Sequence, residues 1–198
     1  MKSNIYQLRR LSEDYRNIPA GTERFARYNG LDDRSALRLR LLSEELICML
    51  PQLLIYGAGS YWVENNGSTY ELHISVTPDA DVLYDSRRVL AVSRSGKNAA
   101  AKGIISKIVI AVESMIESKA RAIQADSTGI WALGLSDRDD SGAWSLVQYR
   151  SSFSEESVRA ENPDDWDELE KSIIANLADD VQVGIIGGKI DISVVMAF

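Results

Sequence analysis

Cysteine and histidine are almost missing from this chain: Cys48 and His73 are the only ones in 198 residues. One cysteine excludes an intrachain disulfide and fits a reducing cytoplasm. One Cys and one His cannot build a thiolate zinc site. A Ser/His/Asp triad would have to use His73, yet no Gly-x-Ser-x-Gly elbow is present. A Walker phosphate loop is absent too. No apolar run approaches the roughly 18 residues that a membrane helix needs. The opening MKSNIYQLRRLSEDYR lacks the apolar core of a signal peptide. Basic charge is also short. With 22 Lys and Arg against 29 Asp and Glu, the net charge of −7 argues against nucleic acid as the main partner. These absences point to a cytoplasmic protein outside the membrane.

What is present is an ordinary globular composition, 45% hydrophobic and 26% charged. The length suits a single domain over residues 1–198 that buries about 70% of its unfolded surface. The Gly- and Asp-rich stretch Gln124–Gly142 reads as a long loop, so a loop or insertion is expected at about 124–163. Charge is uneven: residues 1–40 carry nine Lys/Arg against five Asp/Glu, and Ser154–Asp180 carries ten acidic residues against two basic ones. Such runs are solvated faces, or one of them docks a basic partner protein.

Periodicity supplies the elements. In Leu31–Leu50, Leu39, Leu42, Leu46 and Met49 recur at helical spacing, with Asp32 or Asp33 as cap and no Gly or Pro before Pro51. Ile104, Ile105, Ile108, Val109, Val112, Met115 and Ile116 form the stripe of a second helix, over about Lys97–Ser118. A third runs over Asp164–Ala178, with acidic residues in its first turn and Leu169, Ile173, Ile174 and Leu177 as its buried face. Trp144–Arg150 is a short segment of either type. Trp131, Trp144, Tyr149 and Trp166 either anchor helices and loops or line a pocket.

Two hairpins can be registered. Closing the first at Asn66-Gly67 opposes Val63 to Tyr70 and Tyr61 to Leu72, with Ile74 and Val76 on the same face. Trp62, Glu64, Glu71, His73 and Ser75 then share the wet face. Closing the second at Gly187-Gly188 opposes Ile185 to Ile190, Val183 to Ile192 and Val181 to Val194. Antiparallel hairpins with one wet face and one-sided helices make an α+β fold, a two-layer sandwich of helices on one face of a mixed or antiparallel sheet.

Within the first long helix, Glu45 follows Leu41 and Leu42 and precedes Met49, so its carboxylate is either partly desolvated or reaching for a partner. That pattern describes a general base and equally a helix-edge glutamate. The run Arg24–Leu50, RFARYNGLDDRSALRLRLLSEELICML, resembles the first helical region of the GHKL superfamily of ATPases, closest to its anti-sigma-factor serine kinase branch. The resemblance implies a helix-on-sheet ATP- or ADP-binding fold and a regulatory role. It also implies that Glu45 takes the place of the glutamate that orients or activates water or a hydroxyl. Met49 then stands where that branch has the Asn that holds Mg²⁺. A thioether is a poor ligand for this hard cation, so Mg²⁺ binding should be weak or absent and catalysis improbable.

Two further elements follow from the same resemblance. The family's Asp-x-Gly-x-Gly corresponds here to Thr77-Pro78-Asp79-Ala80-Asp81, which has no glycine; Asp79 either reaches an adenine amino group or serves as a turn former, and Asp81 is the second candidate cofactor-binding aspartate. The phosphate-cradling element corresponds to Ser93-Arg94-Ser95-Gly96-Lys97-Asn98, leading to Lys102 and Gly103. Ser95, Gly96, Lys97 and Asn98 suit an anion at a helix N-terminus and equally a plain cap. A second expectation, from another class, is a non-catalytic protein–protein interaction module that binds no nucleotide.

Overall fold

A computed structural model describes residues 1–9, 14–55, 57–79, 104–125, 143–155 and 163–198. β1 (Tyr6–Leu8) leads through a 3₁₀ turn at Asp14–Asn17 into α1 (Ile18–Tyr28) and the long α2 (Asp33–Leu53). A hairpin follows, β2 (Gly57–Asn66) and β3 (Thr69–Pro78), and then α3 (Ile104–Ala125). The later elements are β4 (Trp144–Ser145), α4 (Leu146–Ser151), α5 (Pro163–Lys171), α6 (Ile173–Leu177), β5 (Asp180–Ile186) and β6 (Lys189–Ala197). The strands form one open sheet in the order β1-β2-β3-β6-β5-β4, every neighbour antiparallel. This is the α+β sandwich the patterning calls for.

The sheet's buried face carries Tyr61, Val63, Tyr70, Leu72, Ile74 and Val76 from the central hairpin. Val181, Val183, Ile190, Ile192, Val194 and Met196 continue it from β5 and β6. Each such side chain contributes about 1.5–3 kcal/mol on burial. Helices seal this face with Leu39, Leu42, Leu46 and Met49 of α2 and Ile104, Ile108, Val112 and Ile116 of α3. α1 lies close to β1. A Cβ on Gly21 would sit 1.9 Å from the Tyr6 hydroxyl, so no larger residue fits there without a shift.

The C-terminal hairpin has the expected register. Ile185 opposes Ile190, Val183 opposes Ile192 and Val181 opposes Val194. Gly187 and Gly188 both adopt positive φ, 56° and 81°, the pair a type I′ turn demands. The first hairpin is shifted by two residues: Val63 opposes Leu72 and Tyr61 opposes Ile74. Its turn is Gly67-Ser68, because a type I′ turn at Asn66-Gly67 would need positive φ at Asn66, and among the described residues only glycines adopt it. An even shift leaves every side chain on its intended face.

Helix boundaries also differ from the periodicity, and α3 runs on to Ala125, past the expected end near Ser118. α2 is capped by Asp32, which accepts from the backbone N–H groups of Arg34 and Ser35, and it continues through Pro51 to Leu53. Pro51 cannot donate to the turn before it, but Leu50 ahead of it and Leu53 and Leu54 beyond it are buried and hold the chain helical. The third expected helix is two. Ser172 interrupts it and caps α6 by accepting from Ala175 N–H. The break resets the phase, so Ile173 is exposed rather than buried. Trp144–Ser151 resolves into a two-residue edge strand and one short helix.

Trp62, Glu64, Glu71 and His73 occupy the sheet's other face. The Trp62 and His73 rings stack across the strand pair, 4.8 Å between centroids and 10° between planes. Lys2 Nζ lies 4.3 Å from the Trp62 ring centroid and pairs with Glu64. The late aromatics serve as anchors: Trp144, Tyr149, Phe153 and Trp166 form a chain of ring contacts joining β4 and α4 to α5.

Candidate functional site

α2 positions Glu44 and Glu45 side by side in sequence and in different settings. Glu44 accepts from Arg40 at 2.8 Å, and Arg40 also donates to Glu23 of α1 at 3.0 Å. Arg27 extends this network to Glu23 and Asp33, tying the two helices together. Glu23 is held below the usual carboxylate range, chiefly by Arg40. Glu45 stands outside the network, with no hydrogen bond or ion pair among the described residues.

Glu45 is half-buried and opens onto a cleft of about 610 Å³. Ile104 and Ile105, at the start of α3, supply an apolar side. The opposite wall is α5, which presents Asp164, Asp167, Glu168 and Lys171, with Ser172 at its end. These four positions follow the i, i+3, i+4, i+7 spacing of one helix face. The acidic first turn was legible as a complement to the helix dipole, but that spacing was the available signal for a wall. Lys171 is paired to Asp167, so the described lining carries four carboxylates and one already committed cation. A triphosphate in this part of the cleft would meet repulsion unless other segments supply cations. A cationic group would be attracted.

Met49 is one turn further along α2 and fully buried among Leu46, Leu50 and Leu53 of the core cluster. It belongs to the apolar stripe and is not among the cleft residues; the stripe and an exposed ligand position are incompatible uses of one helix face. Asp79 is exposed at the end of β3. Asp81, Ser95, Gly96, Lys97, Asn98, Lys102 and Gly103 lie outside the described residues. Among the described residues no group of three or more His, Cys, Asp or Glu could hold a metal ion. No helix among them is long and apolar enough to cross a membrane.

Cys48 is exposed on α2, and burial together with the charges of Glu45 and Glu44 pushes its thiol above the usual range. A raised pKa disfavours the thiolate and makes it a poor nucleophile at neutral pH. Glu45 is the residue that α2 contributes to the described lining of the cleft. Protein-family models, curated proteins and solved structures yield no match to this chain.

Proposed function

We propose that this chain is a degenerate GHKL-like domain that binds ATP or ADP, acts in regulation in the cytoplasm, and does not catalyse phosphotransfer. The reading rests on the likeness of Arg24–Leu50 to that superfamily's first helical region. The element order supports it: long helix, hairpin, second long helix and late hairpin, with helices on one sheet face. The observation that carries it is the position of Glu45, without a partner among the described residues and open to a cleft against α3 and α5. A thioether at the position the resemblance gives to the Mg²⁺-holding Asn supports the loss of Mg²⁺ chemistry, since sulfur does not suit a hard cation. Should any phosphotransfer survive, Glu45 is its base.

Ligand linkage supplies the test. ATP or ADP at millimolar concentration raises the melting temperature, Mg²⁺ adds little, and Glu45→Ala weakens the response. At a hundred times Kd the stabilisation is about 2.7 kcal/mol. No shift at millimolar nucleotide overturns nucleotide binding.

The acidic wall favours a second reading, a protein–protein interaction module that binds no nucleotide and takes a basic partner on α5. Flat nucleotide titrations, together with salt-sensitive capture of a basic partner, belong to this reading alone.

A further inference from the structure

The walls of the cleft are not built alike. α2 and α3 enter the core along whole stripes of buried side chains, whereas α5 buries Leu169 alone. The next helix, α6, is anchored by Ile174 and Ala175. Between them Ser172 leaves the helical conformation, at φ −72° and ψ 128°. The chain therefore has a break between a poorly anchored helix and a well-anchored one.

On the side away from its cleft-facing residues, α5 is held at Asp165 and at Trp166. Lys107 of α3 donates from Nζ to Asp165 Oδ1 at 2.7 Å. The Trp166 ring meets Phe153 with 5.8 Å between centroids. Across the cleft, Glu45 faces a wall bearing Asp164, Asp167 and Glu168, and like charges on opposite walls oppose closure.

We propose that α5 is a hinged wall, swinging about Ser172 and latched by the Lys107–Asp165 ion pair, which controls access to Glu45. The inference concerns the cleft itself and holds whether its occupant is a nucleotide or a basic partner. With the latch broken, the helix keeps Leu169, the packing of Trp166 and the bond that Asn176 of α6 donates from Nδ2 to the Glu170 carbonyl at 2.7 Å. Local opening of this kind proceeds at lower free energy than global unfolding. Because the pair is partly exposed, salt weakens it.

Hydrogen exchange on the full chain tests this. In the wild type, amides of 163–171 exchange faster than those of α6 and α2. Lys107→Ala speeds exchange in 163–171 by about two- to fivefold, the range expected for loss of one exposed ion pair, and leaves 173–177 unchanged. The charge swap Lys107→Asp with Asp165→Lys restores protection. A second readout uses Glu45→Cys in a Cys48→Ser background, whose labelling by an uncharged maleimide accelerates when Lys107→Ala is added. Equal exchange of α5 and α6 in the wild type, or equal acceleration of both by Lys107→Ala, overturns the hinge. Labelling insensitive to Lys107→Ala overturns the control of access.

Discussion

Glu45 and Met49 lie four residues apart, one above the other on α2, and Glu45 opens onto the cleft while Met49 is buried in the core. That divergence separates what this helix does for the site from what it does for the fold. A carboxylate at the boundary costs little, since water reaches it. The thioether four residues later is packed on every side.

Replacing Met49 therefore acts on stability. Met49→Ala costs about 2–5 kcal/mol, the usual penalty for emptying a core methionine site. Met49→Asn is at least as damaging, because its amide is buried without a partner, and it gains no Mg²⁺-dependent nucleotide affinity. Urea unfolding measures the first effect and calorimetric titration with Mg²⁺ the second.

Tyr61 sits fully buried beneath α1 and α2, its hydroxyl 2.8 Å from Thr22 Oγ1 and donating to Ser43 Oγ at 3.1 Å. Tyr61→Phe leaves Thr22 and Ser43 bonded to each other and costs about 0.5–1.5 kcal/mol. Burial pushes the Tyr61 phenol far above its usual pKa, which fixes the sign of the alkaline effect. Its neutral form is the stable one in the fold, so stability is lost as pH rises above about 10, where the unfolded chain ionises. Tyr61→Phe removes that part of the alkaline slope, read from unfolding curves at pH 9 to about 11.

His73 gives the opposite sign at acid pH. Burial lowers its pKa, more than Glu64 and Glu71 raise it. The unfolded chain then binds more protons, and stability falls as pH drops below about 6.5 toward the folded value. His73→Phe keeps an aromatic surface against Trp62 and flattens this limb. Trp62 fluorescence during acid titration is a direct monitor.

Asp180 joins the edge strand to the sheet. Its Oδ1 accepts from Ser145 Oγ at 2.9 Å and from Val147 N–H at 3.2 Å. Burial pulls its carboxyl upward, and hydrogen bonds from Gln182, Val147 and Ser145 outweigh that pull, leaving it below the usual range. Its stabilisation is present above the ordinary aspartate pKa and is lost as pH falls through the folded value. Asp180→Asn removes this dependence and loosens β4 and α4, measured as faster exchange of the 144–151 amides with β6 unchanged.

The legible and illegible parts of the chain differ for physical reasons. Gly187-Gly188 permits one tight turn, so the register of Val181–Val194 could be written down in advance. Asn66-Gly67-Ser68 permits two, and only the backbone preference of Asn66 separates them. Ile173 looked buried because a continuous helix would bury it, and the capping bond of Ser172 outcompeted that continuity. Helical spacing puts Glu45 at the edge of the apolar stripe, and α2 leaves it half-buried there. The spacing of Asp164, Asp167, Glu168 and Lys171 marks one face of α5, but which element that face lies beside is set by tertiary packing between segments far apart in the chain. Periodicity gives Met49 to the stripe and the resemblance gives it to a ligand position, and burial in the core is compatible with the stripe alone.

The most direct measurement is a crystal structure grown with a non-hydrolysable ATP analogue and Mg²⁺. The account predicts the analogue in the cleft bordered by Glu45, Ile104 and α5, with no metal held by residue 49. An empty cleft at saturating analogue, or an octahedral Mg²⁺ coordinated from α2, would contradict it.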